Sequence, residues 1–412
     1  MYLNGSKWKM TKKRRKRPNP WRILLLLGLI AAVVYINQTV VPQTPPLFID
    51  TPTPTRNPES YENEAKAYFE DGKLLKAIDA YKQAIQAKPD DASLYIDLAR
   101  VQIFAGQYED AQESAELGLL MNPDNPLGHA MRAWALDFQG DLLNAEASIK
   151  RALELDPNNA IVHAVYAEIL VDKNDYTFLD DAIQESRTAE ALDPDAIEVR
   201  RARGYVLYWT SNYDEAIKEY QAALEINNKI PNLHLMLGYC YYANNEYDLA
   251  VEAFNQANAL NPSDPTPDYE ISRIYLTIGE FSRAAEYAKE AAKDDPTNPI
   301  YHGNLGVALA KAGNPEGALK ELTLAIKGGK TDNGDIVKGL PLDYNVRVIE
   351  IYSTYGLTLA RQNRCDEAVP IFQAMLSVVS NDEVATYNAQ EGLTMCQENI
   401  EATPYESEGT TP

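Results

Sequence analysis

An alanine returns at fixed intervals along most of this chain, always inside a similar window: KAIDAYKQAI, EAIKEYQAAL and EAVPIFQAML are three of nine. Marked by Ala77, Ala111, Ala145, Ala182, Ala216, Ala250, Ala284, Ala318 and Ala368, the windows step by 34, 34, 37, 34, 34, 34, 34 and 50 residues. A period of that length describes one supersecondary unit that cannot bury its apolar face alone and must stack on copies of itself. The chain is therefore expected to fold as an elongated array.

The remainder of each unit obeys the same frame. With the marker alanine at position 20, position 8 is always small: Ala65, Ala99, Ala133, Ala167, Gly204, Gly238, Ser272, Gly306 and Gly356. Position 27 is Ala or Gly in eight of nine units, Met375 being the exception. Small residues at 8, 20 and 27 let helices approach closely. Position 15 is Gly or Asn in seven units (Gly72, Gly106, Gly140, Asn245, Gly279, Gly313, Asn363), which suits a left-handed residue ending a first helix. Position 32 is proline at Pro89, Pro123, Pro157, Pro194, Pro262 and Pro296, which stops the second helix.

These residues resemble the tetratricopeptide repeat family over roughly residues 58–382. The resemblance implies an all-α fold: antiparallel helix pairs stacked into a right-handed superhelix, with first helices lining a concave groove. Residues 59–382 would be the nine-unit solenoid, with an insert at 327–343 read as a solvated loop. Residues 383–401 would be a cap helix with a polar outer face, and 402–412 a disordered tail.

The N-terminus is built differently. Residues 1–22 hold nine Lys or Arg and no acid, leaving 29 basic against 60 acidic side chains for the rest. An acidic body repels phosphate backbones, so no nucleic-acid partner is expected. An apolar run over residues 23–36, extended by 21–41, reads as a membrane segment behind a basic cytoplasmic tail. A transmembrane helix is expected over 23–41 and a Pro/Thr-rich spacer over 42–58, with the array exported. The alternative is a signal peptide, cleaved to leave a secreted protein.

In the family, first-helix positions 2, 5, 9, 12 and 13 face the groove. The resemblance places Arg100, Phe104, Trp134, Phe138, Arg201, Tyr205, Tyr208, Trp209, Tyr239, Tyr242, Tyr269 and Arg273 there, an aromatic and arginine surface for a partner peptide or helix. Arg200 and Arg203 point instead towards the acids of the preceding second helix, among them Glu185 and Glu190. No carboxylate clamp of the chaperone-binding kind stands at position 5.

Catalytic chemistry is not legible. His129, His163, His234 and His302 all fall at position 4, one per unit, on the order of 10 Å apart if stacked as packed helices, which suits packing and not zinc. GGKT in the insert lacks the glycine five residues earlier that a phosphate loop needs. Cys240, Cys365 and Cys396 have no metal spacing, although Cys365 and Cys396 fall near one end of the stack. The sequence reads as a membrane-anchored, non-enzymatic scaffold that binds protein partners without metal or cofactor. A glycan-binding module or an accessory subunit of an envelope enzyme are the alternatives.

Overall fold

The computed structural model describes residues 19–35 and 57–402. The basic tail, most of the Pro/Thr spacer and the C-terminal tail lie outside the described residues. Residues 1–56 and 57–412 form separate units.

In the first unit, helix α1 (Pro20–Tyr35) is 16 residues long. That length is about 24 Å at 1.5 Å per residue, against roughly 30 Å of hydrocarbon. Among the described residues no helix is long and apolar enough to cross a membrane. The expected span over 23–41 is thus described as helix only in its first part. Its continuation, where Asn37, Gln38 and Thr39 break the apolar run, lies outside the described residues.

The second unit is the array. Helix pairs follow one another as α2 and α3 (Pro58–Glu70, Leu74–Ala87), α4 and α5 (Ala92–Phe104, Tyr108–Met121), and α6 and α7 (Pro126–Phe138, Leu142–Leu155). Next come α8 and α9 (Ala160–Asp172, Leu179–Leu192), α10 and α11 (Ile197–Trp209, Tyr213–Ile226), and α12 and α13 (Pro231–Ala243, Tyr247–Leu260). The array ends with α14 and α15 (Thr266–Ile278, Phe281–Asp294), α16 and α17 (Pro299–Lys311, Pro315–Lys327), α18 and α19 (Val346–Arg361, Cys365–Val378), and the cap α20 (Glu383–Ala402). The three extra residues of unit four make a 3₁₀ turn, Tyr176–Phe178.

Close helix approach explains the small positions. At Gly204, Gly238, Gly306 and Gly356 an added Cβ would come 2.8, 2.6, 2.5 and 2.5 Å from Tyr220, Phe254, Leu322 and Phe372, all at position 24. A large residue from the second helix thus fills the space that glycine vacates. All nine marker alanines are fully buried.

Position 15 is left-handed in every unit. Besides the seven residues expected from sequence, Asn174 (φ 51°) and Ser211 (φ 61°) adopt it. In unit four the insertion displaces the frame, and in unit five a serine accepts a conformation that costs an L-residue about 1–2 kcal/mol.

Position 4 has a shared task. The Nε2–H groups of His129, His163 and His302 face the carbonyls of Pro123, Pro157 and Pro296 at 2.8, 3.0 and 3.0 Å, and His234 faces that of Asn228 at 2.9 Å. Tyr95 donates its hydroxyl to Pro89 at 3.2 Å from the same position. Each clamp ties a first helix to the turn before it. His163 and His302 also turn Nδ1 to Glu185 and Glu321, at 2.5 and 2.7 Å. With Nε2 facing a carbonyl and Nδ1 a carboxylate, the doubly protonated ring satisfies both acceptors, so the site favours the cation.

The insert is not simply a solvated loop. Gly329–Lys330 pairs antiparallel with Ile336–Val337, and Val337 is buried. Leu340 N–H donates to Ala325 and Tyr352 donates to the Leu340 carbonyl at 2.6 Å, so the hairpin is tied to both flanking helices. Cys365 and Cys396 form a disulfide with Cα atoms 5.4 Å apart, joining α19 to α20. The outer face of α20 is less polar than a cap requires, since Val384, Tyr387 and Ile400 are exposed.

Two outcomes follow from these local rules. Ser211→Gly should raise stability by up to about 1 kcal/mol in urea denaturation, with Ser211→Ala giving no gain. The hydrogen bond to Glu185 raises the His163 pKa; at His302 burial opposes the cation, but Glu321 and Pro296 carry the net shift upward. Raised values mean stabilisation that is full below about pH 6.5 and is lost as pH rises through the folded-state values. Melting curves from pH 5.5 to 8.5 should show the wild type losing this increment and His163→Gln/His302→Gln lacking that part of the slope.

Candidate protein-binding face

The first helices α4, α6, α8 and α10 stand side by side, and their inward side chains meet one another. Arg201 is the centre. It is 4% exposed, donates to Glu168, and through Nε donates to Asn232 Oδ1 at 3.0 Å. Its guanidinium lies 5.2 and 5.3 Å from the ring centroids of Trp134 and Phe138. Burial works against this cation, and Glu168 more than offsets it, so the guanidinium is held above its ordinary value. Trp134, 1% exposed, donates its indole N–H to the same Glu168 at 2.8 Å. Phe104 meets Trp134 edge-on at 5.5 Å, and Phe138 stacks on Tyr108 at 4.4 Å.

Carboxylates complete the network. Tyr205 donates its hydroxyl to Asp172. Burial, then Asp172 and Glu168, push the Asp137 carboxyl up to about 9, so it is protonated at neutral pH and can donate to Asp172. Arg100 pairs with Glu198, which is 1% exposed, and stands 5.2 Å from the Phe69 ring.

These contacts cross the array. Glu198 is 98 residues from Arg100, and Asn227 Nδ2 donates to the Phe69 carbonyl, 158 residues away, at 2.9 Å. Unit five therefore touches units one and two across the concave side. Of the twelve residues that the resemblance places in the groove, Phe104, Trp134 and Arg201 are buried, and Arg100, Phe138 and Tyr205 are engaged by the protein's own side chains. Arg201, expected on an open groove wall, is part of a closed polar core.

Units five to eight keep a different face. Trp209 is 47% exposed and meets Tyr205 and Tyr208 edge-on, each at 6.3 Å. Tyr208, Tyr242 and Tyr269 are half-buried. Tyr242 lies 5.9 Å from Tyr247, and Tyr269 lies 5.3 Å from Tyr301. Tyr239 donates to Glu270 at 3.2 Å, and burial pushes that carboxyl up to about 7. Arg273 reaches Glu350 at 2.6 Å past Gly303, where an added Cβ would lie 2.3 Å from Ile351. Outside the face, Arg203 and Arg200 lie 3.4 and 3.8 Å from Glu190, as their register implies; Arg200 also bonds Glu219 at 2.8 Å, and Glu185 is taken by His163.

The residues that sequence reasoning passed over are the acids. Glu168 and Asp172 occupy positions 9 and 13 of unit four, Asp137 position 12 of unit three, and Glu198 and Glu350 position 2 of units five and nine. The frame that selected the arginines and aromatics contains their partners. An arginine among acidic neighbours in register was the available signal.

Comparison with known proteins agrees with this architecture. Profiles described as tetratricopeptide repeat match residues 68–135 and 210–269, 177–231 and 269–333, and 128–159. No curated protein sequence matches the chain. Among solved structures, the human IFIT1 dimer with PPP-AAAA is similar at 16% identity and a TM-score of 0.54, covering 84% of this chain and 83% of that one. The APC/C hetero-tetramer Cut9–Hcn1 is similar at 14% identity and a TM-score of 0.56, covering 90% of this chain and 82% of that one. At such identities the likeness concerns the fold alone. The repeat profiles together span more than half of the chain, each unit repeats the same small, left-handed and capped positions, and the chain belongs to the tetratricopeptide repeat family.

Proposed function

We propose that this protein is a scaffold that binds a protein partner on the inner face of units five to eight, with Tyr208, Trp209, Tyr242 and Tyr269 as anchors. The observation that supports this reading is the division of the aromatic residues. Those of units two to four are spent on the Arg201 network, whereas these four keep accessible ring surface beside hydroxyl and carboxylate groups. Aromatic side chains offer large contact areas at low entropy cost and anchor extended or helical peptides. The acidic body favours a partner carrying positive charge. We also propose that residues 23–41 hold the chain to a membrane with the array exported. The basic residues before the apolar run support that orientation, and the Cys365–Cys396 pairing suits an oxidising compartment.

A photo-crosslinking amino acid at position 242 or 209 should give partner adducts, and one at the exposed outer position Lys218 should give none. Trp209→Ala/Tyr242→Ala should abolish the adduct formed from position 269 at little cost in melting temperature, whereas Trp134→Ala should cost about 3–5 kcal/mol. Adducts from Lys218 alone would refute the inner-face reading. For the location, thiol labelling of denatured, unreduced protein from cells should modify one cysteine, Cys240, and three after reduction. Three labelled before reduction would place the array in a reducing compartment.

A further inference from the structure

We propose that the array carries a latch: it opens at the seam between units one and two and unit five, exposing the inner face that the closed state hides. This inference does not depend on which partner the protein binds.

Two kinds of contact hold the array in shape. Consecutive units are joined by a continuous apolar core, in which Leu94, Met131, Ile149, Ile169 and Leu233 are at most 1% exposed. Separating them would expose large side chains to water at a high cost. Across the seam stand the Arg100–Glu198 pair and the Asn227 amide on the Phe69 carbonyl. These are polar groups that water can serve once they part.

Opening also relieves a group that the closed state leaves short. Glu198 is 1% exposed, and its Oε2 has no hydrogen-bond partner. A buried carboxylate oxygen without a donor loses solvation that only water restores.

Open clefts lie on either side of one tight point at the seam. An open cleft of about 590 Å³ lies between Glu70, Asp71 and the segment from Leu224 to Lys229. Another, about 530 Å³, lies between Leu75, Tyr108, Leu235 and Leu260. Between them the turn at Gly72 meets Lys229 so closely that an added Cβ would lie 1.9 Å from Lys229 Cβ. The equivalent glycine of unit two, Gly106, has the same left-handed backbone, φ 75° against 70°, and nothing within 4 Å of an added Cβ. The two glycines thus separate backbone strain from closure of the seam.

The test uses the full chain with Trp8, Trp21 and Trp209 changed to phenylalanine, leaving Trp134 as the only tryptophan. Acrylamide quenching then reads access to the inner face, because Trp134 is 1% exposed when the seam is shut. Gly72→Ala should raise the quenching constant severalfold with helix content retained, whereas Gly106→Ala should leave it at the parent value. Arg100→Gln/Asn227→Ala, which needs no strained residue, should raise it as well, with a larger radius of gyration by small-angle scattering. Parent-level quenching in both Gly72→Ala and Arg100→Gln/Asn227→Ala would overturn the latch. So would a rise in Gly106→Ala equal to that in Gly72→Ala.

Discussion

Everything else in the array depends on how closely a first helix can approach its second. That distance is set by a side chain at position 24 resting on a residue at position 8 with little or no side chain of its own. Where position 8 is glycine, Tyr220, Phe254, Leu322 and Phe372 lie directly against its backbone. Where it is Ala99, Ala167 or Ser272, position 24 falls to Ala115, Ser186 or Ala288. In these seven units glycine faces a large side chain and alanine or serine a small one, whereas Ala65 with Tyr81 and Ala133 with Ile149 set a methyl group against a large side chain. Uniform spacing is what allows identical turns, clamps and registers to recur.

On that scaffold the interior of units two to five gathers charge. A buried ion pair is weak support for stability by itself, because desolvation consumes most of the Coulombic gain. Glu168 repays part of its cost by accepting from both Arg201 and Trp134, and the aromatic rings lend Arg201 their faces. Such a network acts chiefly through geometry. Arg201 is satisfied only when units three, four, five and six stand in one arrangement, so it favours the closed curvature over the several that an apolar strip would tolerate.

Sequence carried the periodic part of this structure and little of the rest, for a physical reason. Small positions, helix ends and Arg203 beside Glu190 are local in the repeat frame, and each recurs or lies within one unit of its cause. Arg100 with Glu198 and Asn227 with Phe69 depend on how fast the array curves, a sum of small rotations over units that no single position encodes. The same sum decides that Trp134 and Arg201 are interior while Trp209 is not, although position 13 holds both Phe104 and Trp209. Ser211 escaped notice because the unit forces a left-handed backbone on a residue that does not advertise it. The insert hid its hairpin because two-residue strands carry no alternation to read.

The disulfide between α19 and α20 gives the array a direction. A solenoid bound together by neighbour contacts alone loses structure from either end, since a terminal unit has one neighbour to leave. Cys365 and Cys396 close that route at the C-terminal end, because the last helix cannot depart while the bond holds. Fraying then starts at α2 and α3, the pair whose own connecting turn meets Lys229 at the seam. Loss of structure becomes a polarised event that begins beside the residues joined to the N-terminal segment, and a protease or unfolding motor would find its first foothold there.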